Sequence, residues 1–283
     1  MAKRLFFSIN DRNEMAKKAN IKLIVFLLIV ICFIFVGYVL RGYYSYAKET
    51  IPKLTNFKHY HDTMTVIFIG DSWAAYHSQY DQHLKTCIET KVKRPTKVIS
   101  KGIVGAKTKT IYTEMHTYSP SGTKELIELS PDYAIVSAGI NDAIAKMGTE
   151  NYCYHYNLII KKLLSAGIKP IIIDMPQVDY RAVYQRESII AQIRHHISSW
   201  LTDAPFWTFD SYRVALLSLI NQNDIKNHLI YIPASKWNPK GYADPRMLYK
   251  EDHIHLNKKG YLYLDSCITS NIYYDMMTTH GSR

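Results

Sequence analysis

The sequence predicts an α/β domain built on a parallel sheet and preceded by one N-terminal transmembrane helix. An uncharged apolar run occupies 23–40, and from residue 63 onward short apolar strands alternate with helical stretches, as in repeated βαβ units. A chain of 283 residues, 47% of them hydrophobic, is long and apolar enough to bury a core. This composition excludes a disordered or low-complexity protein.

The run LIVFLLIVICFIFVGYVL, from Leu23 to Leu40, has the length and composition of a membrane-spanning helix. Basic residues outnumber acidic ones before it, so the positive-inside rule places 1–22 in the cytoplasm and the rest of the chain outside. Two alternatives are a signal peptide cleaved near residues 45–47 and a core helix, although a core helix would be amphipathic. Residues 41–62 lack a sustained period and are interpreted as a juxtamembrane stalk.

The remainder, 63–283, is predicted to form one domain, with helices covering both faces of the sheet. The strands are predicted at 65–70, 97–100, 132–139, 168–176 and 205–210. The helices are predicted at 75–90, 124–129, 152–166, 182–200, 212–222 and 257–275. The proline-containing stretch 223–250 is interpreted as an irregular loop of a length that is usually functional or disordered.

Residues with catalytic potential follow the strands, at the edge where open parallel sheets bind ligands. Ser72 follows the first strand, Gly105 the second and Asn141 the third, while Asp252 and His255 precede the last helix. A serine hydroxyl needs a base, usually histidine, and a nearby aspartate can fix the imidazole tautomer. The backbone N–H groups of Ser72 and Gly105, with the Asn141 amide, would stabilise an oxyanion.

Four sequence blocks resemble those of the SGNH (GDSL-type) hydrolase family. They are GDS at 70–72, the glycine at 105, GxND at 139–142 and DxxH at 252–255. The blocks occur in the family's order, and the resemblance spans about residues 64–270. Two positions depart from the usual pattern, since Trp73 stands where leucine is common and Ser100 where many members have asparagine.

The resemblance implies a flavodoxin-like, three-layer α/β/α fold and hydrolysis of esters, or acyl transfer, without a cofactor. It implies that Ser72 is the nucleophile, His255 the base and Asp252 its orienting residue. Ser72, Gly105 and Asn141 would form the oxyanion hole. His253 is an alternative base, although the family's spacing favours His255.

Other side chains are candidates for substrate or metal binding. Trp73, beside the nucleophile, is expected to shape the acyl pocket, and Trp237 and Tyr242 are candidates for a sugar platform or for ordinary packing. Two histidine pairs, His59 with His61 and His195 with His196, have no carboxylates or cysteines at a ligand spacing, so no metal is expected. The sequence contains neither a GxSxG elbow nor an HExxH motif.

The resemblance to the family and the predicted location together imply a membrane-anchored esterase of the bacterial envelope that removes O-acetyl groups from an exported or surface polysaccharide. The net charge of +11 selects no partner, and no nucleic acid is expected. Three alternatives stay open. They are an O-acetyltransferase fed by a multi-span acyl-donor protein, a lysophospholipase or thioesterase at the membrane, and a non-catalytic glycan-binding protein.

Overall fold

The computed structural model describes residues 2–44, 62–222 and 225–280, and its contacts divide the chain into two compact units, Met1–Ala47 and Lys48–Arg283. Most of the predicted stalk, 45–61, lies outside the described residues. The domain boundaries at 22, 40 and 62 therefore stay predictions.

The N-terminal unit contains one helix, α1, at Ala2–Tyr44. Its segment Lys17–Leu40 comprises 24 residues and is apolar enough to cross a membrane by length and composition. At 1.5 Å per residue the segment is about 36 Å long, and most of its large apolar side chains are exposed. The helix expected at Leu23 to Leu40 is therefore present, and it continues to Tyr44, into the predicted stalk.

The second unit is built on a sheet of five parallel strands in the order β2-β1-β3-β4-β5, which is the flavodoxin-like order. The strands are β1 Met64–Gly70, β2 Thr96–Gly102, β3 Tyr133–Ser137, β4 Lys169–Ile173 and β5 Ile230–Ile232. Strands β1 and β3 are almost wholly buried. Continuous apolar runs of this kind suit a strand that is covered on both faces.

Helices flank the sheet, which gives the predicted α/β/α architecture. They are α2 Ser72–His77, α3 Asp81–Val92, α4 Thr108–Glu114, α5 Lys124–Glu128, α6 Ile140–Ile144, α7 Thr149–Ser165, α8 Tyr180–Arg186, α9 Ile189–Thr202, α10 Asp210–Ile220, α11 Ala234–Trp237 and α12 Lys258–His280. Helix α3 packs against α12, whereas α7 packs against α4 and α10. The amphipathic helix α7 buries Leu158, Ile159 and Leu163 against the sheet side of the core.

The prediction of a strand at 205–210 is wrong, because the structure has no strand there. In its place Phe206 and Trp207 pack with Tyr180, Tyr184 and His196 in an aromatic cluster. The edge position beside β4 is taken by β5, a three-residue strand inside the stretch predicted as an irregular loop. A long aromatic run has strand propensity, but here ring packing outweighs that propensity.

The helix predicted at 182–200 is interrupted. Glu187 and Ser188 have extended backbones, and they separate α8 from α9. Asp179 and Ser188 cap the two helices by accepting hydrogen bonds from Ala182 N–H and Ala191 N–H. Each segment therefore starts with its own N-cap, which explains the break.

Candidate active site

Ser72 is the first residue of α2, directly after the turn that ends β1. Gly70 makes this turn possible because its φ is +151° and a Cβ atom there would lie 2.0 Å from the Ser137 carbonyl oxygen. Asp71 caps α2, and its carboxylate accepts a hydrogen bond from Trp73 N–H at 3.0 Å. The turn thus fixes the Ser72 backbone at a helix N-terminus.

Asp71 is buried and holds the turn rather than facing the solvent. Besides Trp73 N–H, its carboxylate accepts a hydrogen bond from the Ser137 hydroxyl at 3.0 Å, which ties the turn to the end of β3. Burial raises the pKa of Asp71 to about 7, although the bonds from Trp73 and Ser137 oppose the shift. The buried Asp71 carboxyl group therefore stabilises the turn through its hydrogen bonds to Trp73 and Ser137.

Ser72, His255 and Asp252 form a continuous chain of hydrogen bonds. The Ser72 Oγ atom lies 2.9 Å from His255 Nε2, and His255 Nδ1 lies 2.7 Å from Asp252 Oδ2. With the ring proton on Nδ1, the imidazole donates to Asp252 and accepts from the serine hydroxyl. Ser72 and His255 are 183 positions apart in the sequence, whereas Asp252 and His255 are 3 positions apart. The fold therefore brings the serine to the Asp/His pair.

Asp252 is held by its own loop. Its Oδ1 atom accepts hydrogen bonds from Ile254 N–H at 2.9 Å and His255 N–H at 2.8 Å, while Oδ2 faces the imidazole. Burial raises the pKa of this carboxyl, but these hydrogen bonds outweigh burial, and the pKa of Asp252 lies below its ordinary value. Asp252 is therefore ionised at neutral pH and favours the Nδ1–H tautomer of His255.

The loop that carries His255 is connected to α2 and to the segment around Tyr249. Trp73 Nε1 donates a hydrogen bond to the Ile254 carbonyl oxygen at 3.1 Å. The edge of the Tyr76 ring meets the imidazole, with 5.1 Å between the ring centroids. On the other side of the loop, the Asn257 side chain donates to the Tyr249 carbonyl oxygen at 2.9 Å. These contacts limit the positions that the His255 ring can take.

Gly105 lies in the turn after β2 and Asn141 in the first turn of α6, and a hydrogen bond joins the two segments. Gly105 has a φ of +77°, and no atom lies within 4 Å of the position that a Cβ would occupy. The Asn141 amide donates one N–H to the Ala106 carbonyl oxygen at 3.0 Å, which leaves a second N–H on the same nitrogen. An open space beside Gly105 and a fixed amide are what an oxyanion site needs.

Asp142, also in α6, forms a second connection to the segment that contains Gly105. Its carboxylate accepts hydrogen bonds from Thr108 N–H at 2.9 Å and from the Thr108 hydroxyl at 2.7 Å. Burial raises the pKa of Asp142 to about 6 against the effect of these bonds. The Asn-Asp pair therefore joins the start of α6 to the start of α4, with the Gly105 turn between them.

A family model for GDSL-like lipases and acylhydrolases matches residues 68–262, more than half of the chain, and includes every residue of this site. The chain belongs to the GDSL-like lipase/acylhydrolase family. A comparison with curated protein sequences found no significant match.

Solved structures agree with the family at the level of the fold. A lipase/acylhydrolase from Enterococcus faecalis has a TM-score of 0.53 at 17% identity, covering 75% of this chain and 96% of its own. The acetyl xylan esterase AlAXEase has a TM-score of 0.51 at 20% identity, covering 73% of this chain and 98% of its own. At these identities the similarity establishes the SGNH hydrolase fold.

Trp237, a candidate for a sugar platform, is buried in this GDSL-like protein. Trp73 and Trp237 are 2% and 0% exposed, and they pack edge to face with 5.7 Å between their ring centroids. Because the Trp237 ring presents no face to solvent, ordinary packing describes this residue, whereas the acyl-pocket role of Trp73 stays a prediction. Tyr242 instead stacks on His253, with 5.5 Å between the ring centroids.

The other histidines lie in different surroundings from His255. His253 Nδ1 is 3.3 Å from Asp179 Oδ2, so this ring faces α8 rather than Ser72. His195 is buried against the Tyr180 hydroxyl at 3.1 Å, and His196 stacks on Phe206. His59 and His61 lie outside the described residues. Within 2–44, 62–222 and 225–280, no group of three His, Cys, Asp or Glu residues is arranged to hold a metal ion.

Sequence reasoning did not single out the residues that support this GDSL-like site. Asp71 and Asp142 stand inside the GDS and GxND blocks, and their position there was the available signal. Ser137 and Thr108 carry no motif of their own. Their partners lie 66 and 34 positions away, so only the fold identifies them.

Proposed function

We propose that this protein is a serine esterase of SGNH type, anchored in the membrane, that removes O-acetyl groups from an exported or cell-surface polysaccharide. The observation that carries the proposal is the hydrogen-bonded series Ser72–His255–Asp252, with distances of 2.9 and 2.7 Å, at the carboxyl edge of the sheet. Such a series activates a hydroxyl group for attack on an ester.

In the proposed reaction the Ser72 oxygen attacks the ester carbonyl carbon while His255 Nε2 takes the hydroxyl proton. The negative oxygen of the tetrahedral intermediate accepts hydrogen bonds from Ser72 N–H, Gly105 N–H and the second N–H of Asn141. The C–O bond to the sugar then breaks, and Nε2 returns the proton to the leaving sugar oxygen. Water attacks the acyl-serine with His255 as base, which releases acetate and restores the serine.

The choice of an acetyl group is supported by the similarity in fold to an acetyl xylan esterase.

The proposed location follows from the charge distribution around α1. The segment Lys17–Leu40 supplies the anchor, the basic N-terminal residues face the cytoplasm, and the catalytic unit is outside it. Fusing alkaline phosphatase or a cytoplasmic reporter after His280 tests this topology. Activity of the phosphatase fusion alone is expected, and activity of the cytoplasmic reporter alone would reverse the orientation.

The test of the function uses the full chain in lipid nanodiscs with p-nitrophenyl acetate, butyrate and decanoate, beside a Ser72→Ala variant. We expect acetate release that depends on Ser72 and declines as the acyl chain lengthens, and release of acetate from an O-acetylated polysaccharide. A preference for decanoate would contradict the proposal in favour of a lipid substrate. A trapped acetyl-Ser72 that water does not resolve would contradict it in favour of acyl transfer.

A further inference from the structure

Helix α9 presents an apolar face to solvent. Ile189, Ile190, Ile193 and Trp200 are between 49% and 81% exposed. Positions 189, 193 and 200 are separated by four and seven residues, so their side chains lie along one side of the helix, with Ile190 beside them. A contiguous exposed apolar surface is uncommon on a soluble protein and marks a contact with another molecule or with a membrane.

The polar residues of the same helix point inward. His195 and Ser198 are buried, and the His195 ring lies 3.1 Å from the Tyr180 hydroxyl. Burial lowers the pKa of His195 to about 4, so this ring is neutral at neutral pH. Helix α7 has the opposite arrangement, because its leucine and isoleucine side chains are buried. Core packing therefore does not account for the isoleucines on the outer side of α9.

A second exposed tryptophan extends this surface. His196 is one helical turn from both Ile193 and Trp200, and its ring stacks on Phe206 with 4.2 Å between the centroids. Phe206 packs edge to face against Trp207, at 4.7 Å, and Trp207 is half exposed. The α9 face consists of Ile189, Ile190, Ile193, Trp200 and Trp207. Its two tryptophans suit the boundary between water and lipid, where one edge of the ring is wet and the rest is apolar.

The charges around the α9 face are mainly positive. Arg186 precedes the helix, Arg194 is one turn from Ile190, and the Arg181 guanidinium lies over the Trp207 ring at 5.3 Å. All three arginines are exposed, and within the described part of the chain none forms an ion pair within 4.0 Å. These cations are available to an anionic partner.

The carboxylates beside α9 do not balance these arginines. Glu187 faces inward, with its Oε2 atom 3.2 Å from His195 Nε2, whereas Asp203 is exposed after the end of the helix. A symmetric contact between two copies would place one arginine-rich face against another. Anionic lipid headgroups complement a face that carries three exposed arginines and one exposed carboxylate.

The membrane anchor keeps this surface close to a bilayer. The segment Lys17–Leu40 has the length and hydropathy of a membrane span, and residues 45–61, which follow α1, can extend at most about 60 Å. Such a tether gives the α9 face a high effective concentration at the lipid surface. We propose that the α9 face binds the headgroup region of the bilayer that holds α1, with its arginines beside anionic headgroups. This inference rests on the proposed anchor and is independent of the proposed reaction.

Tryptophan fluorescence tests the binding, because all four tryptophans lie in the catalytic unit. Trp73 and Trp237 are buried, so lipid can contact only Trp200 and Trp207. The full-length protein is placed in nanodiscs whose acyl chains are brominated near the headgroup, since bromine quenches tryptophan on contact. Relative to unbrominated discs, we expect a loss of up to about half of the fluorescence, greater when phosphatidylglycerol is mixed with phosphatidylcholine.

Two matched pairs of substitutions are compared in the same discs. Ile189→Ser with Ile193→Ser should reduce the quenching about threefold or more, because the apolar contact is removed. Tyr274→Ser with Met277→Ser, at exposed positions of α12, should leave the quenching unchanged. Thermal unfolding shows that both double variants fold.

A third pair and a second measurement separate the outcomes. Arg186→Gln with Arg194→Gln should remove the additional quenching that phosphatidylglycerol causes. Co-elution with the nanodiscs measures anchoring, and a chain that does not co-elute would overturn the proposed anchor together with this inference. An anchored chain without quenching, or equal quenching in the serine pair of α9, would overturn the inference alone. A dimer that this serine pair dissociates, without quenching by lipid, would assign the α9 face to a second copy.

Discussion

The indole N–H of Trp73 donates a hydrogen bond to the carbonyl oxygen of Ile254, 3.1 Å away. It joins the residue after Ser72 to the residue before His255, which are 181 positions apart in the chain. The bond therefore joins the start of α2, which carries the candidate nucleophile, to the loop that carries the candidate base. Leucine, which the family commonly has at this position, cannot donate such a bond.

Trp73→Phe should keep most of the packing and remove this hydrogen bond. We expect kcat for p-nitrophenyl acetate to fall about 3- to 10-fold, because the Ser72–His255 distance is less restricted. The free energy of unfolding should fall by about 1–3 kcal/mol, since the buried indole contributes both a bond and packing. Steady-state kinetics and urea unfolding measure the two effects. The same change at Trp200, which is 81% exposed, is the control, and an equal effect there would refute the role.

His255→Ala should lower kcat by about 10²- to 10⁴-fold, the range expected for loss of a positioned base. His253→Ala, two residues away, should stay within about twofold, because this ring contacts Asp179 and Tyr242 rather than Ser72. Both variants are compared by kcat for p-nitrophenyl acetate. A large loss of kcat in His253→Ala with little loss in His255→Ala would show that His253, and not His255, is the base.

Asp71→Asn should make stability less dependent on pH. An aspartate with a raised pKa binds protons more tightly when folded, so the wild type loses stability as pH rises from about 4 through the folded pKa near 7. Asparagine keeps the capping oxygen but cannot ionise. Between about pH 5 and pH 8 the variant should gain roughly 2–3 kcal/mol relative to the wild type.

Urea unfolding at the two pH values measures this difference. Asp142, with a pKa raised to about 6, titrates in the same range, and its charge contributes to the raised pKa of Asp71, so the pH profile of Asp142→Asn is measured alongside. Asp203→Asn is the control because that residue is exposed. Parallel pH profiles for wild type and Asp71→Asn would show that Asp71 is ionised throughout.

Two glycine substitutions should separate folding from catalysis. Gly70→Ala places a methyl group 2.0 Å from the Ser137 carbonyl oxygen, so we expect a loss of about 3 kcal/mol or more, or no folded protein. Gly105→Ala meets no atom within 4 Å, so it should cost only the strain of a positive φ, about 1–2 kcal/mol. Its kcat should nevertheless fall about tenfold, because the methyl group enters the proposed oxyanion site. Denaturation and kinetics test both, and a stable Gly70→Ala or a fully active Gly105→Ala would count against this account.

The sequence predicted correctly those features that depend on neighbouring residues, such as strands and motifs. The apolar runs identify β1, β3 and β4, and the motif residues Ser72 and His255 stand beside predicted strands or helices. The wrong strand prediction has one cause. Residues 205–210 look like a strand by composition, whereas Ile230–Ile232 is too short to register, and the competition between them is decided by packing against β4.

What the sequence by itself determined is therefore local and ordered: an apolar helix near the N-terminus, alternating strands and helices, and four motif blocks in the order of the family. Only the tertiary structure decided that Trp73 is buried against Trp237 and bonded to Ile254, and that Asp71 is bonded to Ser137 at the end of β3. Hydrophobic periodicity depends only on residues that are close in sequence, so the sequence alone is enough to show it. Hydrogen bonds, burial and cavities between residues far apart in sequence depend on how the helices and strands pack, and packing is a property of the whole fold.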